Sequence, residues 1–488
     1  MKPRKTMIIT NRANNTYRVL LVGLLMIGVS ACKISQPSIR EENKQLPSSY
    51  GTYQSSDSTN VASIQWRDFF KDPYLISLID TALMNNQELN IIWQEIEISK
   101  NEVQARRGEY LPFLGLGAGS SVEKEGRYTR FGALEKNIEV KPGEEFPEPY
   151  SSHELGAYAH WELDVWKKLR NAKKSAVKRY LASQEGKNFM LTHLVAEMAS
   201  AYYELIGLDN MLDIVTKNIE IQEDALHIII QQKEAAKVSQ LAINRFEAQL
   251  LNTKNLQYSI LQERTQVENE LNFLMGRFPK PIQRSNADFY AMHFDSLLAG
   301  LPPQLLENRP DIRQAELELA AAKLDVKVAR AQFYPSIGLQ AGLGFQAFKT
   351  SYLFLPESML YNLAGDLVSP LINRNAIRAT YNSANAKQLQ LIYGYEQTIL
   401  KAYIEVVNEL ARIDNYTQSF TTKSKEVDIL THSIAISNSL FRSARADYIE
   451  VLLTQREALE SRMELTEIKM QQLKASVNLY RVLGGGWQ

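Results

Sequence analysis

Arg330-Ala331-Gln332-Phe333-Tyr334-Pro335-Ser336-Ile337-Gly338-Leu339-Gln340-Ala341-Gly342-Leu343-Gly344-Phe345-Gln346 is the stretch on which the fold turns. From Ile337 to Phe345 every odd position is apolar, and from Ser336 to Gln346 every even one is Ser, Gly or Gln. A period of two marks a strand with one apolar and one polar face. Its length is close to the roughly 9 to 11 residues with which a β-barrel strand crosses a bilayer. A weaker companion follows Pro112, where Phe113-Leu114-Gly115-Leu116-Gly117-Ala118-Gly119 is glycine-rich without clean alternation. Returning strands fit Leu155 to Trp161 and Met359 to Gly365. Four strands cannot close a barrel, and an open edge in lipid would leave backbone groups unpaired, so spanning strands require oligomerisation. The same pattern also fits strands of an ordinary soluble α+β domain.

Helices flank these strands. All 16 prolines lie outside the stretches Tyr150 to Phe278 and Leu371 to Gln488. Proline breaks helix interiors, so two such stretches predict long helices. In the first, Leu191, Leu194, Met198, Tyr202, Leu205, Leu208, Leu212, Val215 and Ile219 recur at the heptad period of a coiled coil. Tyr403, Val406, Leu410, Ile413 and Phe420 form a similar row in the second. A single helix from Trp166 to about Gln232 would be on the order of 100 Å long. Several shorter helices of a soluble bundle, broken at Gly186, Gly207 and Gly394, would satisfy the same periodicity.

The order of elements occurs twice. Arg107-Gly108-Glu109-Tyr110-Leu111-Pro112 matches Arg330-Ala331-Gln332-Phe333-Tyr334-Pro335, each joining a helix to a strand. Leu169-Arg170 then matches Ile377-Arg378, and Leu274-Met275-Gly276 matches Val482-Leu483-Gly484 at the same separation. Each half reads helix, strand, strand, long helix, returning helix. The first half carries an additional polar loop from Val122 to His153, of a kind that suits the outer side of a barrel. Arg277 to Pro310, with five prolines, reads as the connector.

Lys2, Arg4, Lys5, Arg12 and Arg18, without an acid, precede an uncharged run from Val19 to Ala31. This is a signal-peptide layout, too short to span. The run closes on Val29-Ser30-Ala31-Cys32, and Cys32 is the single cysteine of 488 residues. Small residues before a cysteine resemble the bacterial lipobox, which predicts a covalent lipid on Cys32. The alternative is a plain secretory signal with an incidental cysteine. With 55 basic and 55 acidic residues the precursor is neutral, which predicts no nucleic-acid partner. One cysteine and six scattered histidines predict no metal site and no cofactor. No convergent acid, base or nucleophile appears, so no catalytic residue is assigned.

Leu301-Pro302-Pro303-Gln304-Leu305-Leu306-Glu307-Asn308-Arg309-Pro310-Asp311-Ile312, with Ala315-Glu316 and Ala329 through Pro335, resembles the central signature of outer-membrane efflux lipoproteins of the TolC-like class. Trp66, Phe69-Phe70, Asp72-Pro73, Leu78-Ile79, Ser369-Pro370-Leu371 and the ending Leu479 to Trp487 resemble it too. The resemblance implies a mixed α and β membrane protein. Three chains, four strands each, would form a twelve-stranded outer-membrane barrel continued by a coiled-coil periplasmic tunnel. It divides the chain into a leader (1–31), a lipidated and equatorial segment (32–85), a first repeat (86–276), a connector (277–308) and a second repeat (309–488). The strand hairpins would occupy 112–165 and 335–372, and the long helical hairpins 166–276 and 374–483.

The implied function is an exit duct of a tripartite efflux system, partnered by an inner-membrane transporter of the resistance-nodulation-division type and a periplasmic adaptor. By the same resemblance the adaptor docks at two helix tips, Ala236, Lys237, Val238, Ser239 and Ala444, Arg445, Ala446, Asp447. Relatives commonly carry glycine where Ala236 and Ala444 stand, and alanine disfavours positive φ. Glu450 resembles an acidic position lining the closed pore, with Leu453 in place of a second acid. Without the resemblance, Glu450 is a surface carboxylate and Leu453 a coiled-coil core residue. Two other functions share these features: a lipid-anchored periplasmic scaffold or adaptor, and the outer-membrane duct of a type I secretion system.

Overall fold

The computed structural model describes residues 40–51, 53, 59–285, 288–294, 298–370, 372, 374–443 and 445–487. Cys32 and Ala444 lie outside the described residues. Arg40 and Glu41 belong to a leading unit, and the residues from Glu42 onward form a second. All that follows concerns the second unit.

Two helices, α1 (Pro73–Asn85) and α2 (Gln87–Tyr110), lead into strand β1 (Phe113–Glu123). Strand β2 (Tyr150–Leu163) returns and feeds α3 (Lys168–Glu234), which turns back as α4 (Gln240–Leu274). The second half repeats this order with α5 (Pro310–Ala331), β3 (Ser336–Ala347), β4 (Met359–Val368), α6 (Asn375–Arg442) and α7 (Tyr448–Val482). Between β1 and β2 lie a short helix, Arg130–Glu135, and a tiny hairpin, Glu139–Lys141 with Glu144–Glu145. No helix among the described residues is long and apolar enough to cross a membrane.

Local chemistry fixes the helix starts. The Asp72 carboxylate accepts from the Tyr74 amide ahead of Pro73 at the first position of α1. Asn86 does the same for α2, accepting from Leu89, while its Nδ2 donates to the Leu274 carbonyl of α4. The glycines expected as possible breaks do not break anything: α3 has 67 residues and α6 has 68. At Gly207 an added Cβ would collide with the Met470 side chain, so this glycine lets α3 and α7 approach closely.

Of the heptad row, all but Leu191 and Leu212 are buried. In the second row Val406 and Leu410 are buried and Tyr403, Ile413 and Phe420 half-buried. The core is thickest where the chain's first described residues, connector and end converge. Phe69 stacks on Tyr480 at 4.1 Å and on Phe294 at 4.9 Å, and the Tyr480 hydroxyl donates to Ile64 at 2.6 Å. Such aromatic pairs add about 0.5 to 1.5 kcal/mol beyond their buried area. Arg309, almost fully buried, is held by Asp311 at 2.7 Å, Glu405 at 2.8 Å and the Val482 carbonyl at 3.0 Å. One guanidinium thereby ties α5, α6 and α7 together.

The four strands form one antiparallel sheet in the order β1-β2-β3-β4. Strand β4 is exposed along its whole length and β1 along nearly all of it, and among the described residues neither has a partner on its outer edge.

Candidate functional site: a two-faced sheet, a helical wall and two helix tips

The pairing register shows what each face of the sheet carries. Leu155 opposes Phe345, Ala157 opposes Leu343, Trp161 opposes Leu339 and Leu163 opposes Ile337. Leu114 and Leu116 of β1 join this face through Ala159 and Ala157, and Met359, Tyr361, Leu363 and Leu367 of β4 join it through β3. Directly opposed residues project to the same side. One face is therefore apolar from edge to edge, and Leu116, Leu363 and Tyr361 are 85%, 81% and 78% exposed on it. Burying that surface at about 25 cal/mol per Å² is the strongest driving force the sheet has for meeting lipid.

The opposite face is mostly glycine and polar, with Phe113 of β1 and Leu360, Ala364 and Val368 of β4 as its apolar members. It holds Gly115, Gly117, Gly119, Gly156, Gly338, Gly342 and Gly344, with Tyr158, Gln340 and Asn362 among them. All four strand carboxylates, Glu123, Glu154, Glu162 and Asp366, lie on this face, and the strands contain no Lys or Arg. Glycine makes room for them. A Cβ on Gly119 would stand 2.8 Å from Glu154 Oε1, and one on Gly338 would collide with the Asp366 carboxylate. Gly338 pairs with both Glu162 and Asp366, which brings two carboxylates to one level at the helical end of the sheet.

Beyond the sheet the helices repeat the strand order. Helix α2 packs on α3, α3 on α5 and α5 on α6, so each strand is continued by its own helix. A cavity of about 510 Å³ is lined by Glu95 of α2, Arg179 and Gly186 of α3, Glu318 of α5 and Lys387 of α6. A space touched by the first and last helix of a row lies on its concave side. Lys168 sits three turns from Arg179 on the same stripe of α3, and its Nζ reaches Glu162 at 2.6 Å. The polar face of the sheet and the concave side of the wall are thus one continuous surface.

Where β2 becomes α3, Asp164 accepts from the amides of Leu169 at 3.0 Å and Arg170 at 2.9 Å and pairs with the Arg170 guanidinium at 3.0 Å. Burial alone would push this carboxyl up, but the bonds from Arg170 and Leu169 outweigh it and hold it low. Lys167, just before α3, has φ 60° without being glycine.

At the far end α3 closes in a Schellman turn. The Ala236 amide donates to the Lys233 carbonyl at 2.8 Å and the Lys237 amide to Gln232 at 2.9 Å, with Ala236 at φ 56°. Alanine takes the left-handed conformation that glycine would take, so the turn is neither shifted nor opened. In the second half the Arg445 amide donates to Leu440 at 2.8 Å, the equivalent closing bond. Ala236, Lys237, Ser239, Arg445 and Asp447 are exposed, while Val238 and Ala446 are half-buried. Val238 packs with Phe441, Tyr448 and Leu452 against Ile229, Ala242 and Phe246, which joins the two tips in a small apolar cluster.

Glu450 and Leu453 are both exposed and line one groove of about 380 Å³ with Ser433, Ser437 and Leu440 of α6. Glu450 has no ion-pair partner among the described residues. Nearer the sheet, His193 is pushed down to about 4, first by burial and then by the Arg481 charge. No group of His, Cys, Asp and Glu with metal-holding geometry occurs among the described residues.

A sheet with one lipid-compatible face, continued strand by strand into a helical wall, defines a subunit of an outer-membrane channel with a periplasmic extension. The sequence profile described as "Outer membrane efflux protein" matches residues 78–277 and 301–485. The chain belongs to this family. Its sheet accordingly lies in the outer membrane and its helices in the periplasm. The pyoverdine export outer membrane protein OpmQ of Pseudomonas aeruginosa is 27% identical over 470 residues, covering 94% of this chain and 96% of that protein. The cation efflux system protein CusC of Escherichia coli is 25% identical over 476 residues, covering 96% and 99%. Among solved structures, the open state of the Neisseria gonorrhoeae MtrE outer membrane channel superposes with a TM-score of 0.82 at 22% identity, covering 93% of this chain and 98% of that one.

Proposed function

We propose that three copies of this chain assemble around a common axis into a closed duct. The outer edge of β1 in one protomer pairs with that of β4 in the next, giving twelve strands with no free edge. The observation that carries this reading is the pair of unpartnered edges on a sheet whose apolar face is exposed from strand to strand. Closure pairs those backbone groups, each of which would cost several kcal/mol if left unsatisfied in lipid. The glycine-lined face and the concave side of the helical wall then form the lumen. Glu154, Glu162 and Asp366 give its membrane section an acidic lining that attracts cations and repels anions.

Cys32 carries the lipid anchor, and the helix tips meet a periplasmic adaptor protein that links the duct to an inner-membrane transporter of the resistance-nodulation-division type. The tip residues available for docking are Ala236, Lys237, Ser239, Arg445 and Asp447, with Val238 holding the two tips together. Three Glu450 carboxylates and three Leu453 side chains form the constriction. The duct itself catalyses nothing.

The test is the mass of the detergent-extracted protein before and after heating in dodecyl sulfate. The expected species before heating is close to three times the 55.5 kDa precursor mass, less the leader and plus lipid. A monomer released from membranes by alkali would contradict the shared barrel.

A further inference from the structure

Immediately beyond the apolar face of the sheet, the outer side of the wall is basic. In α3 a helical period places Arg170, Lys173 and Lys174 opposite the stripe of Arg179 and Gly186 that faces the concave cavity. Lys327 stands two and a half turns from the cavity residue Glu318 on α5, and Arg378 the same distance from Lys387 on α6, so both point to the convex side. Lys174, Lys327 and Arg378 are exposed, and Lys173 is half-buried. Apart from Arg170, which serves Asp164, none of them has a carboxylate at ion-pair distance among the described residues. No acid occurs from Val165 to Gln184 or from Asn375 to Tyr395.

Aromatic residues mark the border between the apolar face and this collar. Trp161 stands on the apolar face with its Nε1 donating to the Tyr110 carbonyl at 3.2 Å. Trp166 stacks on Tyr334 at 4.7 Å and donates to the Pro335 carbonyl at 2.7 Å. Such rings gather at the headgroup level of outer-membrane barrels. The basic side chains lie within roughly 15 Å of the strand ends, and their flexible stems can carry the charge back to the phosphate plane.

We propose that Lys173, Lys174, Lys327 and Arg378 form a collar that binds anionic phospholipid headgroups in the periplasmic leaflet of the outer membrane. The proposal rests on the sheet spanning that membrane. Continuity with the apolar face selects lipid as the partner, and charge complementarity selects an anionic headgroup over a zwitterionic one.

The experiment reconstitutes the full-length protein in phosphatidylcholine vesicles containing trace spin-labelled phosphatidylglycerol or phosphatidylcholine, and measures the motionally restricted fraction of each label. The parent protein is expected to prefer phosphatidylglycerol about fivefold, a preference that weakens with salt. Replacing the four residues together (Lys173→Gln, Lys174→Gln, Lys327→Gln, Arg378→Gln) brings the two labels level, whereas Lys217→Gln on the distant periplasmic part of α3 leaves the preference intact. Equal restriction of both labels by the parent overturns the collar but leaves the spanning sheet standing. No restricted lipid of either kind overturns the spanning sheet itself. If inorganic phosphate suppresses the preference more than sodium chloride of matched ionic strength, the site takes free phosphate and the lipid assignment falls.

Discussion

The two strand-to-helix junctions of the duplicated chain occupy equivalent places and are built with different chemistry. At the first, Asp164 caps α3 with two amide bonds and an ion pair, and its side chain is only 2% exposed. At the second, α6 begins without a side-chain cap, and Arg374 reaches back to donate to the Phe333 carbonyl at 2.6 Å. Duplication preserved the element order and left each junction to be secured by whatever residues it held. The first is an electrostatic lock, and at the second the Arg374 guanidinium both reaches the Phe333 carbonyl and lies over the Phe333 ring at 5.5 Å.

Removing the lock has the largest expected effect. Asp164→Ala frees two amides at the start of α3 and strips the partly exposed Arg170 of its counterion, a loss of about 2 kcal/mol, most of it from the cap. Arg374→Ala at the other junction costs about 1.5 kcal/mol, through loss of the carbonyl hydrogen bond and the ring contact. Dissociation temperatures of the unheated dodecyl sulfate species should rank the variants in that order, and equal losses would show that the junctions are energetically alike.

The same contrast extends along α3 and α6 to His193 and its equivalent Lys401, which is largely exposed. The His193 imidazole is held neutral to about pH 4, against about 6.5 in an unfolded chain. The unfolded state therefore binds the proton first, and stability contributed by His193 is full above about pH 6.5 and lost as pH falls toward 4. His193→Gln should flatten the pH dependence of the dissociation temperature in this window, and Lys401→Gln should not.

The smallest expected effects are gains. Lys167 and Ala236 hold left-handed backbone at φ 60° and 56°, where an L side chain is strained. Lys167→Gly and Ala236→Gly should each stabilise by about 1 kcal/mol or less, relief of strain being partly offset by the freedom of glycine when unfolded. Loss of stability in either would mean that the side chain makes contacts worth more than the strain.

Much of this architecture can be read in the residues themselves. The alternation after Pro335 marks β3 without help, and the proline-free stretches mark α3 and α6, because periodicity is a local property. Strand β1 is blurred at both ends, by Phe113 on the polar face and Ser120 on the apolar one; only from Leu114 to Gly119 does it alternate cleanly. The carboxylate pair around Gly338 is invisible in the chain, since Glu162 and Asp366 become neighbours only through a register spanning two strand pairings. Arg309 belongs to a recognisable motif, but its partners Glu405 and Val482 lie far along the sequence. At the tips, Lys233 and Gln232 close a turn on Ala236 that composition alone assigns to glycine.

The central claim is that one face of the sheet meets lipid and the other lines a lumen. Single cysteines placed in turn at the non-glycine positions from Ser336 to Gln346, in reconstituted vesicles, test it through labelling by a charged, water-soluble maleimide. The account predicts reaction at Ser336, Gln340 and Gln346 and protection at Ile337, Leu339, Ala341 and Leu343. Uniform labelling along the strand would contradict it, because a sheet wetted on both faces lines no membrane channel.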